Sequence, residues 1–133
     1  MMQELTQEEK DLILKDISNR LLYGVKAWVK NYCEFAWHEG IYTVKSCFPS
    51  LNEVHVQSDT GSLDVLLGYY DYEFKPYLLP ISSMTKEQKK YVRSNHTFGA
   101  TYELFDWLDK NHFDYRGLID RGLAIDATGL NIY

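Results

Sequence analysis

Cysteine, proline and basic residues are all scarce in this sequence, and long apolar runs are missing. Two cysteines, Cys33 and Cys47, are too few for the disulfide framework of a small secreted domain, and they read as reduced thiols. Neither belongs to a C-x-x-C pair, and His38, His55, His96 and His112 form no H-E-x-x-H pattern, so no metal and no cofactor are expected. Gly117 and Gly122 lie five apart without the lysine and third glycine of a phosphate-cradling loop. No apolar stretch approaches the ~20 residues of a membrane span. The opening MMQELTQEEK is acidic and lacks the apolar core of an export signal, so a cytoplasmic protein without a membrane partner is expected. Lys and Arg total 14 against 19 Asp and Glu, a net charge of -5, which disfavours a protein whose main task is gripping phosphates.

What is present describes one soluble domain. At 133 residues and 45% hydrophobic composition the chain can bury a core without staples. Aromatics are plentiful at 15%, with eleven tyrosines, more than one small core encloses. Tyrosine carries an apolar ring and a polar tip, which suits it to binding surfaces as well as to the rim of a core.

The order of patterns predicts an α+β fold in three stretches: a helix over 1–24, a β-rich middle over 25–80 and a helical end over 81–133. Thr6-Gln7-Glu8-Glu9 is a capping box ahead of Ile13, Leu14, Ile17 and Leu21, which share one helical face. That helix should run from about Gln7 to Leu22, with Gly24 past its end. Asp11 with Lys15 and Asp16 with Arg20 are acid-first i,i+4 pairs expected on the wet side. From Val25 the period becomes two, with Val25, Ala27 and Val29 alternating with Lys26, Trp28 and Lys30. Glu39-Gly40 reads as a turn, and Asp59-Thr60-Gly61 as a hairpin between Val54/Val56 and Leu63/Val65/Leu67. Tyr69 to Phe74 would supply a last short strand before Pro76 and Pro80, which should end the sheet because proline cannot donate to a ladder. Four or five such strands make a small antiparallel sheet or a partly closed SH3-like barrel.

Two or three helices should follow. Thr85 with Gln88 is a second capping box, opening a helix to about Arg93, broken by Asn95 and Gly99. Phe98, Tyr102, Phe105, Leu108 and His112 form a helical stripe. Asp114 is a candidate cap for a short helix from Tyr115 to Arg121, with Gly122 beyond it, and Leu123-Ala124-Ile125 reads as extended chain on the core.

The blocks KPYLLPISSMTKEQKK (75–90) and NHFDYRGLIDRGLAIDATGLNIY (111–133), with the helix TQEEKDLILKDI, resemble an uncharacterised family of small phage and mobile-element proteins of gut bacteria. The resemblance implies an accessory protein of such an element, acting inside a bacterial cell. No activity attaches to that family, so it assigns no functional residue.

Three functions remain open. The preferred one is a non-enzymatic module binding a protein through a tyrosine-rich sheet surface, with Trp28, Tyr42, Tyr69, Tyr70 and Tyr72 as contacts. The second is a single-strand nucleic-acid binder in which Lys26, Trp28 and Lys30 interleave bases with a ring, aided by Lys86, Lys89, Lys90 and Arg93. The third is a small hydrolase centred on His112 and Asp114 with Arg116, although capping by Asp114 and ion pairing by Arg116 explain those residues more simply. Exposed Tyr and Val strands also invite homodimer formation at a sheet edge.

Overall fold

The computed structural model describes residues 4–95 and 101–133, so His96, Phe98 and Gly99 lie outside the described residues. Helix α1 spans Gln7–Ser18 and opens with both bonds of the Thr6/Glu9 capping box. A single 3-10 turn, Leu21–Tyr23, follows, and Gly24 then reverses the chain at φ 66°. The α-helix is thus shorter than the pattern predicted, with its last turn tightened as helix ends often are.

Strands β1 (Lys26–Cys33), β2 (Ala36–Phe48), β3 (Glu53–Ser58) and β4 (Gly61–Leu66) form an antiparallel meander. Asp59 and Thr60 make the turn between β3 and β4, as expected, with Ser58 opposite Gly61. The predicted turn at Glu39-Gly40 is not one. Gly40 lies inside the continuous β2, opposite Val29, and the reversal is made by Glu34 and Phe35.

Strand β5 (Tyr72–Pro80) returns to pair with the outer edge of β1, and it runs through both prolines instead of stopping before them. The ladders explain why. Pro76 is the last β5 residue paired with β1, and pairing on the other edge begins only at Tyr77. Pro80 is the last residue paired with β6 (Phe113–Asp114). Both prolines therefore stand at ladder limits, where a missing N–H is tolerated. The two-residue strands β6 and β7 (Ile125–Asp126) both lie parallel to β5 but on opposite edges: the Leu79 amide donates to the His112 carbonyl, while the Leu78 carbonyl, on the other side of the same trans peptide, accepts from the Ala127 amide. The result is an open, mixed seven-stranded sheet of order β4-β3-β2-β1-β5-β6 with β7 also on β5. Closure into an SH3-like barrel is not what forms: among the described residues β4 pairs with β3 alone, and β5 pairs with β1 and the C-terminal strands instead of with β4.

One face of this sheet carries the core. Ile13, Leu14 and Ile17 of α1 pack on Val25, Ala27, Val29, Val44, Val54, Val56, Val65 and Phe74, with Leu118, Leu123 and Ala124 closing over them. Each such side chain contributes about 1.5–3 kcal/mol on burial. Helices α2 (Lys86–Asn95) and α3 (Tyr102–Lys110) form a second, smaller cluster around Met84, Leu104, Leu108 and Phe113. The Thr85/Gln88 box caps α2 as expected.

The predicted helix from Tyr115 to Arg121 is absent. Asp114 lies in β6 and its carboxylate accepts from the amides of Leu118 and Ile119 at 3.0 and 2.8 Å, holding a turn in place of a helix. Nor does His112 extend the stripe of α3. Asn111 caps that helix and His112 has already turned to φ 62°. Leu123 and Ala124 lie on the core ahead of β7, as the sequence suggested.

Candidate functional site

Two regions concentrate chemistry. The first is the junction of α1 with α3 and the Tyr115–Arg116 segment. Asp16 and Arg20, expected in water, are both fully buried. Asp16 lies three residues after Ile13 and Arg20 three after Ile17, so the i,i+4 pair shares the buried side of α1. Arg20 grips Asp16 through two bonds of 3.0 Å, Nε to Oδ2 and Nη2 to Oδ1, and also donates to the Phe113 carbonyl at 2.6 Å. Arg116 donates to Asp16 Oδ1 at 2.8 Å, and Tyr115 donates to Asp109 at 2.9 Å. Asp109 stands 3.7 Å from Arg20 and 4.0 Å from Arg116. Two acids thus face two guanidinium groups. Burial pushes the Asp109 carboxyl up against the opposing pull of Tyr115 and the two arginines. Burial and the bond to Asp109 raise the Tyr115 phenol to about 12.

Beside this network, Lys15, Asn19, Tyr102, Phe105, Asp106, Asp109, Tyr115 and Arg116 line a cleft of about 480 Å³. Tyr23 donates to Asp106 nearby, and that bond raises its phenol to about 12. The polar groups of the cleft are largely engaged with one another, which makes the junction a clamp between α1 and the C-terminal segment.

The second region is the end of the sheet where β1 turns into β2. Residues on the face opposite the core include Trp28, Lys30 and Tyr32 of β1, which pair with Ile41, Glu39 and Trp37 of β2. Tyr32 and Trp37 meet edge to face with ring centroids 5.3 Å apart, and the Lys30 ammonium lies 5.3 Å from the Trp37 ring. Tyr32, Trp37 and Ile41 remain exposed. The turn itself is Glu34-Phe35, with φ 51° and 64°, two positive values as in a type I′ turn. Phe35 is 96% exposed. The loop before β5 joins this end: the Tyr32 amide donates to the Asp71 carbonyl at 2.9 Å, and Tyr69 stacks on Tyr70 at 5.8 Å just before it.

The expected protein-contact residues therefore divide. Trp28 lies on the open face, half-buried beside Ile41, and Tyr69 and Tyr70 are exposed at the hairpin end. Tyr42 and Tyr72 instead pack against the core from its own face, opposite Ala27 and Asn31. Burial accordingly raises the Tyr72 phenol. Of the bases proposed for nucleic acid, Lys26 and Lys30 share the open face with Trp28, and Lys26 donates to the Ile132 carbonyl at 3.2 Å. Lys86, Lys89, Lys90 and Arg93 lie on α2, where Lys89 and Arg93 line an apolar groove with Ile81, Met84 and Val92. They belong to a different element from the strand bases.

His112, Asp114 and Arg116 are each engaged elsewhere. His112 stacks on Tyr133 with centroids 3.5 Å apart and an 8° interplanar angle. Asp114 holds the Leu118 and Ile119 amides, and Arg116 holds Asp16. Burial, with Arg20 and Lys26 nearby, lowers His112 to about 4. Cys33 sits exposed opposite Ala36, whereas Cys47 lies opposite Val54 against the core, so the two thiols do not face each other. Among the described residues, no group of three or more His, Cys, Asp and Glu is arranged to hold a metal ion. No helix among them is long and apolar enough to cross a membrane.

Sequence reasoning missed Tyr32, Phe35 and Trp37 because it placed the turn at the glycine. The signal available was symmetric alternation about Glu34-Phe35. No protein-family model matches the chain, and neither a curated protein nor a solved structure is significantly similar to it.

Proposed function

We propose that this chain is a non-enzymatic protein-interaction module whose contact surface is the β1–β2 hairpin end of the sheet. Phe35 carries the reading. A bulky side chain at positive φ is locally unfavourable, and Asn or Gly would make the same turn more cheaply. Full exposure of that ring adds a second local cost without any packing return. Local rules broken without internal compensation mark functional positions. Around Phe35 stand Tyr32, Trp37, Tyr69 and Tyr70, residue types that dominate interface energetics. Trp28 and Ile41 continue the apolar surface along the open face. The setting follows the resemblance of 75–90 and 111–133: an accessory protein of a phage or mobile element in a bacterial cytoplasm.

The test is capture of a partner from host lysate by wild-type protein, by Tyr32→Ala/Trp37→Ala, and by Lys86→Ala/Lys90→Ala as a surface control on α2. The expected result is one near-stoichiometric protein, retained after nuclease and by the control, and lost from the hairpin variant. Retention by a folded hairpin variant rejects this surface.

A second reading, single-strand nucleic-acid binding, draws on Lys26, Trp28 and Lys30 sharing one face with Tyr32 and Trp37. It predicts nuclease-sensitive capture and affinity that falls steeply with salt. Glu39 and Glu73, which flank Lys30 in the ladders, oppose it.

A further inference from the structure

The hairpin end combines its rings with an excess of one charge. Glu34 is in the turn, Glu39 lies opposite Lys30 on β2, Glu73 lies opposite Lys30 on β5, and Asp71 bonds through its carbonyl to Tyr32. Among the described residues, no ion pair engages any of these four carboxylates. Lys30 leans on the Trp37 ring, and Lys75, two residues along β5 from Glu73, lies opposite Trp28. Asp16, by contrast, is matched with Arg20 and Arg116, and Asp109 stands near the same two arginines. Free carboxylates around exposed aromatic rings form a surface complementary to cations. The ring faces attract guanidinium or ammonium groups, and the carboxylates accept their hydrogen bonds.

We propose that the partner segment received by this surface is basic, an arginine- or lysine-rich stretch of a protein that lays its cations on Tyr32, Trp37, Tyr69 and Tyr70 between the four acids. The inference rests on the reading of the hairpin end as an interaction surface and adds the chemistry of the partner. Charge complementarity of this kind speeds encounter and sets selectivity, and it weakens with salt.

The experiment is selection of a random peptide library displayed on phage against the immobilised full chain. Enriched peptides are then measured on three proteins: wild type, Glu39→Gln/Glu73→Gln, and Tyr32→Ala/Trp37→Ala. The expected peptides are rich in Arg and Lys, lose about tenfold or more in affinity on either variant, and weaken between low and high salt. Peptides that need Tyr32 and Trp37 but carry no basic excess, and that ignore the glutamine variant, overturn the basic partner and leave the interaction surface standing. Peptides indifferent to both variants, or an empty selection, overturn the surface and the basic partner together.

Discussion

The α1–α3 junction and the hairpin end are both rich in charge and aromatic rings, and they treat them in opposite ways. At the junction, Asp16 and Arg20 are wholly withdrawn from water and bonded to each other, to Arg116 and to the Phe113 carbonyl, while Arg20 Nη1 is left without a hydrogen-bond partner among the described residues. At the hairpin, four carboxylates have no ion pair among the described residues, a phenylalanine faces water and the turn holds two non-glycine residues at positive φ. One set of groups finds most of its partners within the chain, and the other has no ion pair among the described residues. Polar content alone therefore does not distinguish a clamp from a binding surface. Whether the partners are internal does.

That contrast predicts the largest effect at the junction. Asp16→Ala leaves two guanidinium groups with only the more distant Asp109 carboxylate and should cost about 3–5 kcal/mol in urea unfolding, whereas Asp11→Ala on the wet side of α1 should cost under about 0.5. Equal costs would dissolve the distinction between the two faces of α1. Next in size is a pH effect beside the clamp. His112 is held neutral down to about 4, against an ordinary value near 6.5. As pH falls from about 6.5 toward 4, the unfolded chain takes up this proton and the folded chain does not, so stability is lost across that window, by up to about 3 kcal/mol. Asn accepts the left-handed backbone of position 112, so His112→Asn should flatten that loss. Asp109 acts in the opposite sense, since burial raises its carboxyl above the ordinary range and the folded chain takes that proton more readily. A pH profile unchanged by the substitution would remove His112 from the account.

At the hairpin the signs reverse. Glu34→Asn/Phe35→Gly supplies the residues a type I′ turn prefers and should raise stability by about 0.5–1 kcal/mol while weakening partner capture. A variant that is both more stable and fully competent would show that Phe35 has no role in binding. The smallest change in stability is expected for Tyr32→Ala/Trp37→Ala, within about 1 kcal/mol, set against a tenfold or greater loss of affinity.

The helix caps at Thr6 and Thr85, the β3–β4 hairpin and the α+β class were legible because each is written in residues a few positions apart. The burial of Asp16 and Arg20 was not. Its cause lies in Asp109, Phe113 and Arg116, far along the chain. Pro76 and Pro80 misled for the same reason. Proline excludes a ladder bond only where the neighbouring strand would accept one, and where β7 begins is not written near residue 76. The proposed interaction surface was half visible. Tyr69 and Tyr70 stood out by composition, but which face Tyr42 and Tyr72 turn to depends on a register set by the turn at Glu34-Phe35.

Strand β5 also orders events in time. Among the described strands it alone pairs with both the meander and the C-terminal segment, through β1 and β6 on one edge and β7 on the other. A chain emerging from the ribosome can form the β1–β2 and β3–β4 hairpins early, yet the free edge of β1 stays open until Phe74 arrives. Residues 77–80 of β5 then stay unpaired until Phe113 and Ile125 have been made. Contacts of such long sequence separation slow folding. The nascent chain therefore passes through a stage in which its most hydrophobic strand, with Phe74, Tyr77 and Leu78, is unprotected on one side.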